Sequence, residues 1–214
     1  MTEPSFIRAR TPEAKAKRRT TILAAAAALL AASGLEHTTL NAIATTAGIT
    51  KSNIYRYFES REEILMRLLA EDLRRTSEGM AQALSCPHPL PDVATALAGG
   101  LAANPRLCLL ISISAPTLER NISTDTLREI KRDMVASLNI TARALHAALP
   151  GLPVEEAGNA VQILFTLVAG LWPHSTPGPA LKTLLAEPEF RAFDQDFENI
   201  LRRSTLVLLK GFLS

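Results

Sequence analysis

Apolar residues recur along this chain three and four positions apart, and hardly any stretch shows the alternation of a half-buried strand. The pattern therefore predicts helices almost throughout. The first runs from about Pro12 to Ser33, with Gly34 as its stop. Short helices follow near Leu40–Ala47 and Lys51–Phe58. Ser60-Arg61-Glu62-Glu63 reads as a capping box, in which the Ser60 oxygen accepts from the Glu63 N–H and the Glu63 carboxylate bonds back to the Ser60 backbone. It opens a longer helix through Leu65, Leu68, Leu69 and Leu73 toward Leu84. Beyond Pro87, Pro89 and Pro91, helices are expected over Asp92–Ala103, Pro105–Leu118 and Ser123–Leu149. Another runs from Pro153 to Trp172 and stops at Pro173, a short one spans Ala180 to Ala186, and the last runs from near Pro188 to about Leu213.

The segment from Leu40 carries more than a helix. Leu40, Ile43, Ala44 and Ala47 give one apolar face, and Ala44 is small where a second helix would approach. Gly48 can take a positive φ at a tight turn, Ile49 can plug the corner, and Thr50 can cap the next helix. In Lys51–Phe58, Ile54 and Phe58 face inward, leaving Lys51, Ser52, Asn53, Tyr55 and Tyr57 free to face out. Two short helices at a sharp turn form a helix-turn-helix, whose second helix enters the DNA major groove.

Composition alters this picture little. The formal charge is +2, but Arg8, Arg10, Lys15, Lys17, Arg18 and Arg19 crowd the first residues, so 1–18 is expected to be a flexible basic arm. Arg18-Arg19 ahead of the apolar run Ile22–Ala32 imitates an export signal. That run is too short to span a membrane, and no membrane association is expected. Cys86 and Cys108 make no disulfide framework, and Cys86-Pro87-His88-Pro89 reads as a loop without a second ligand pair, so no metal is expected. Reduced thiols fit the cytoplasm. His37, His88, His146 and His174 are scattered, and there is no phosphate loop, dinucleotide fingerprint or nucleophile elbow. No catalytic residue, cofactor or enzyme activity is expected.

The string Ile22-Leu23-Ala24-Ala25-Ala26, Gly34, Thr38-Thr39, Ile43-Ala44, Ala47-Gly48-Ile49-Thr50, Ile54-Tyr55, Tyr57-Phe58 and Ser60-Arg61-Glu62 resembles the N-terminal signature of TetR (tetracycline-repressor) family regulators over about residues 19–68. In that reading the apolar run is the core face of the first helix and not an export signal. The resemblance implies an all-α chain: a three-helix helix-turn-helix domain over 19–66, then a helical bundle over 67–214 for effector binding and dimerisation. It implies DNA contacts from Thr39 and Asn41 at the start of the second helix, with Asn41 able to pair with adenine N6/N7. Thr50, Lys51, Ser52 and Asn53 open the recognition helix; Lys51 suits guanine O6/N7 or a phosphate. Tyr55 and Tyr57 offer hydroxyls to the backbone, and Arg61, helped by the helix dipole, a phosphate clamp. Arg61 stands where the family usually has lysine, and Asn41 where arginine is frequent, so base preference is left open.

The C-terminal bundle has two informative helices. Pro153–Trp172 is apolar nearly all round, and the last carries Phe190, Phe193, Phe197, Ile200, Leu201, Leu208 and Phe212 along a broad stripe. Either both close the monomer's own core, or they pack on their symmetry mates as the four-helix dimer interface the resemblance implies. A homodimer is expected, because two recognition helices then read two half-sites of a (pseudo)palindromic operator about 34–36 Å apart, or multiples of that. Leu110, Thr117, Leu138, Arg143, His146, Phe165 and Trp172 offer a mostly apolar set for a small-molecule effector, and serve equally as plain core. The expected function is a DNA-binding transcriptional repressor released by that effector. The alternatives are an effector-independent or activating regulator, and a carrier or enzyme that keeps a vestigial helix-turn-helix.

Overall fold

The computed structural model describes residues 11–214; Arg8 and Arg10 of the expected basic arm lie outside them. The described residues are helical and form no strand. They divide into a unit ending at Leu68 and a second from Leu69 to Ser214.

In the N-terminal unit, α1 (Pro12–His37) opens where the Thr11 hydroxyl accepts from the Ala14 N–H at 3.2 Å. Lys15, Lys17 and Arg18, expected in a flexible arm, thus lie on its first turns together with Arg19. The regular helix breaks at Gly34, whose φ of 76° is a left-handed conformation that favours glycine. At 26 residues, with a mean hydropathy of 1.3 over one 18-residue window, α1 is long and apolar enough to cross a membrane, which the run Ile22–Ala32 alone did not suggest. Its Ile22, Ala25, Ala26 and Leu30 are instead buried in this unit.

Thr39 caps α2 (Leu40–Thr46) by accepting from the Ala42 N–H. The end of α2 is a Schellman turn: the Gly48 N–H donates to the Thr45 carbonyl and the Ile49 N–H to the Ala44 carbonyl, with Gly48 at φ 66°. Then comes α3 (Lys51–Ile54), a single turn rather than two. The chain tightens beyond it, since the Tyr57 and Phe58 N–H groups both donate to the Ile54 carbonyl. Ile43, Ala44, Ile54 and Phe58 are buried together with the α1 face.

The fourth helix, α4 (Arg61–Ala83), begins with half of the expected capping box. The Glu63 N–H donates to Ser60 Oγ at 3.0 Å, but the Glu63 carboxylate accepts from the Glu59 N–H at 2.8 Å instead of returning to Ser60.

In the C-terminal unit, α4 continues and is followed by α5 (Leu90–Ala102) and α6 (Pro105–Ser114), bent by 83° at Asn104. The sixth helix stops at Ser114, short of Leu118, because Pro116 has no N–H with which to continue it. A 3-10 turn (Leu118–Asn121) leads to α7 (Thr124–Ala148), capped by Ser123. Next is α8 (Val154–Ser175), which runs past Pro173 and ends where the Ser175 and Thr176 hydroxyls donate to the Leu171 and Trp172 carbonyls. After α9 (Pro179–Leu184), the expected single last helix is two elements: a 3-10 stretch, Pro188–Phe193, and α10 (Phe197–Leu213). Asp194 and Asp196 are extended, and the Asp196 carboxylate caps α10 by accepting from the Asn199 N–H at 3.1 Å.

The eighth helix packs on α6, α7 and α10, and α10 on α5. Leu97, Leu101, Leu107, Leu110, Leu145, Leu164, Val168 and Leu201 are fully buried there. One buried charge joins α4 to α6: Asp72 accepts from Arg106 Nε at 2.6 Å and NH2 at 2.7 Å, and from Arg75 at 2.6 Å. The paired carboxylate raises the Arg106 pKa above its already high value, so this guanidinium stays charged.

Candidate nucleic-acid interface

A recognition element of one turn cannot hold its own shape, since isolated helices need about 12–15 residues to be even marginally stable. Its surroundings hold it. From inside, Ile54 and Phe58 anchor it in the core. From α1, the Arg19 guanidinium donates to the Tyr57 carbonyl and lies 4.3 Å from the centroid of the Phe58 ring. It also approaches Glu63 Oε1 at 3.5 Å. Glu63, only 4% exposed, receives in addition the Glu59 N–H and Arg67 Nε. Helix α1 and the loop that follows α3 therefore meet the start of α4 at one satisfied buried carboxylate. A buried charge is tolerable on those terms alone. Sequence reasoning counted Arg19 among the N-terminal cations without a partner and gave Glu63 only its cap; the signal that was there is a cation three positions before Ile22, on the helix face that points at Phe58.

On the outside of this framework the polar residues stand free. Lys51 and Ser52 are exposed, Asn53 is half-buried, and Tyr55 is 53% exposed, a large aromatic in solvent. Tyr57 is half-buried. Arg56, which the sequence reading did not single out, is exposed beside Tyr55 and adds a second cation to the same element. Thr50 occupies the cap position of α3 without making the cap bond; its hydroxyl pairs with that of Ser52 at 2.9 Å. Thr39 and Asn41 are exposed at the start of α2. The Thr39 oxygen already accepts from Ala42, which leaves its O–H to donate outward.

Arg61 departs from this outward-facing set. Its Nε donates to the Thr38 carbonyl at 2.6 Å and its NH2 to the Leu35 carbonyl at 2.5 Å. The guanidinium thus satisfies the carbonyls at the end of α1 instead of reaching out for a phosphate. The outward face combines cations with hydroxyl and amide groups on one short helix at a tight turn, and such groups bond phosphate oxygens and base edges.

The residues expected to hold an effector have varied surroundings. Leu110 is buried core, and Trp172 packs edge-on against Phe197 with centroids 5.0 Å apart. The His146 ring nitrogen Nδ1 donates to the Leu152 carbonyl at 2.7 Å, while exposed Arg143 donates to the Asn139 carbonyl of its own helix. Thr117 is exposed, and Leu138 and Phe165 are half-buried. A cleft of about 200 Å³ lies between α4 and α5, and none of these residues is on its walls. Among the described residues no group of three or more His, Cys, Asp or Glu stands where it could hold a metal ion.

Family models match the whole described core of the chain. Residues 22–68 match that of the bacterial regulatory proteins of the tetR family, and residues 65–214 that of the tetracyclin repressor-like C-terminal domain. Solved structures share the fold at low identity. The fatty acid degradation regulator FadR from Bacillus halodurans is 18% identical with a TM-score of 0.54, covering 95% of this chain and 98% of its own. A transcriptional regulator from Rhodococcus sp. Rha1 is 22% identical with a TM-score of 0.53, covering 92% and 98%. FadR from Bacillus subtilis, solved in complex with stearoyl-CoA, is 20% identical with a TM-score of 0.53, covering 89% and 96%. No curated protein matches the chain in sequence.

Proposed function

The chain belongs to the TetR family of bacterial regulatory proteins and is a transcriptional regulator; from that premise we propose that it is a homodimeric repressor, released from a (pseudo)palindromic operator by a small-molecule effector bound in its C-terminal unit. The observation that carries the DNA-binding part is the contrast along α3 and the turn after it. Ile54 and Phe58 are locked into the core, while Lys51, Ser52, Tyr55 and Arg56 are presented to solvent. A core element has no use for that outward set; a major-groove reader needs it. Lys51, Ser52 and Asn53 are proposed to read bases. Thr39, Asn41, Thr50, Tyr55, Tyr57 and Arg56 contact the sugar-phosphate backbone, and Arg61 holds α1 against the start of α4.

Dimerisation through α8 and α10 is supported by the apolar side chains these helices leave uncovered. Val207 is 70% exposed, Ile163 41% and Val154 49%. A cytoplasmic location follows from a DNA target, and exposed Cys86 with its thiol free fits a reducing compartment. An effector acts by binding the DNA-free arrangement more tightly than the DNA-bound one, since equal affinity for both shifts nothing. The stearoyl-CoA of the Bacillus subtilis protein belongs to that protein. It supports only the idea that this helical architecture can take up a ligand.

Fluorescence anisotropy with a duplex from upstream of the chain's own gene tests the reading. Binding should be saturable, two protomers per site and far stronger than to a scrambled duplex at the same salt, and a metabolite panel should contain a compound that reverses it. Equal binding to both duplexes would overturn the proposed function.

A further inference from the structure

The ion pair of Arg19 and Glu63 holds the peptide groups on both sides of Phe58. Ahead of Phe58, the Tyr57 carbonyl accepts from the Arg19 guanidinium. Behind it, the Glu59 N–H donates to Glu63 Oε2 at 2.8 Å. The guanidinium lies over the Phe58 ring, 4.3 Å from its centroid, and 3.5 Å from Glu63 Oε1. The Arg19 side chain is 31% exposed and that of Glu63 5%, so the cation is answered inside the unit and not held out to a phosphate.

We propose that Arg19 is a positioning residue for operator recognition. By clasping the chain at Phe58 it fixes the turn of Tyr55, Arg56 and Tyr57, and with it the direction in which these residues and the end of α3 meet DNA, without touching DNA itself. This rests on the DNA-reading assignment of α3 given above. Three observations carry it. The helical ladder that would otherwise fix the turn is absent: α3 ends at Ile54, and the Tyr57 carbonyl takes its bond from a residue 38 positions away. The turn has little of its own to hold it, because the Tyr57 and Phe58 N–H groups share the Ile54 carbonyl. Finally, its two ends are pinned independently, since Ile54 is 0% and Phe58 2% exposed. Loss of the clasp therefore frees the three residues between them while the core stays filled. Lysine cannot replace arginine here. A planar fork lies flat on a ring while its N–H groups reach two acceptors, whereas an ammonium is a compact point charge. Arg19→Lys thus keeps the charge that DNA feels at a distance and removes the geometry.

Fluorescence anisotropy of the full-length protein tests this on two duplexes, the site that the wild type enriches from random DNA and a scrambled version of it. Active protein is counted by stoichiometric titration, and each variant is held well below its melting temperature. Arg19→Lys should bind the enriched site about tenfold more weakly, the order of one mismatched base pair. Its affinity for the scrambled duplex, and the salt dependence of both, should stay as in the wild type. Hydrogen exchange should quicken at the amides of Tyr57, Phe58 and Glu59 and not at those of Ile22, Ala26 and Leu30. Glu63→Gln keeps an oxygen for the Glu59 N–H but leaves the guanidinium unanswered, so it should lose preference too. The double variant should lose less than the two single losses combined, because both break one clasp. An unchanged ratio of the two affinities in Arg19→Lys overturns the proposal. With a lower melting temperature alone, it makes Arg19 a structural residue; with weaker binding to both duplexes, a phosphate contact. Full additivity of the two substitutions overturns it as well. Should Arg19→Lys fail to fold, the ratio in Glu63→Gln decides by the same criterion. A wild type that prefers no duplex removes the DNA-reading assignment and this inference with it, whereas a preference that survives in the variants removes the inference alone.

Discussion

Lys51 stands in solvent at the start of α3, while Arg61 donates Nε and NH2 to the carbonyls of Thr38 and Leu35. Two cations that look alike in the sequence therefore act on different quantities. Replacing Lys51 with glutamine should leave folding unchanged, cost about 1–3 kcal/mol of operator affinity and make the slope of log affinity against log salt shallower by up to about 1. Replacing Arg61 with methionine should lower the denaturation midpoint of the protein and leave that slope as it was. Operator titrations at four salt concentrations, with urea melts of both variants, separate the two roles. The phosphate clamp expected of Arg61 came from the resemblance alone, and no local pattern announces that a guanidinium will turn back to carbonyls more than twenty residues upstream. The cysteines divide in the same way. Burial pushes the Cys108 thiol from its ordinary 9.0 up to about 12, whereas Cys86 is exposed. Iodoacetamide at pH 8 should label Cys86 alone in the folded protein. Because the folded value is the raised one, Cys108 contributes full stability below about pH 9 and loses it as pH climbs toward 12. The offset in melting temperature between the wild type and Cys108→Ala should therefore stay constant below about pH 9 and change only as pH rises beyond it.

At the scale of elements, periodicity located the helices, and the errors fall where a single residue interrupts a sustained pattern. The stripe from Phe190 to Phe212 reads as one helix, yet Asp196 followed by Asn199 is a cap, and the chain extends through it before α10 begins. Pro116 similarly ends the sixth helix inside an apolar run. The turn after α2 was fully legible because glycine is the residue that tolerates a positive φ. At Gly48 nothing lies within 4 Å of an added Cβ, so Gly48→Ala meets no steric clash and its whole cost is conformational. The expected loss is about 1–2 kcal/mol, read from urea unfolding monitored by circular dichroism. A neutral result would mean that the turn relaxes to another geometry. The brevity of α3 was not legible, because Lys51–Phe58 fits two helical turns by pattern. Bonds from Arg19 and the double use of the Ile54 carbonyl set its shape, and both depend on tertiary contacts.

At the scale of the molecule, the DNA-reading part was visible in the sequence because many fixed spacings must agree to make a tight turn against a core. The C-terminal part was visible only as a helical bundle. Core and ligand pocket draw on the same apolar residues, so Leu110 and Trp172 could not be sorted in advance. Dimerisation belongs to this scale too. Val207→Glu places a charge on the uncovered face of α10 and should convert a dimer to a monomer in sedimentation velocity, with operator affinity falling in parallel; a wild-type monomer at micromolar concentration would remove the two-half-site arrangement. The central claim, that Lys51–Tyr55 reads DNA sequence, is tested most directly by selecting bound duplexes from random DNA with the wild type and with Asn53→Ala. The account predicts an enriched two-fold symmetric site for the wild type, and relaxed preference at symmetry-related base pairs for the variant. No enrichment over the starting pool, or the same site selected by both proteins, would contradict it.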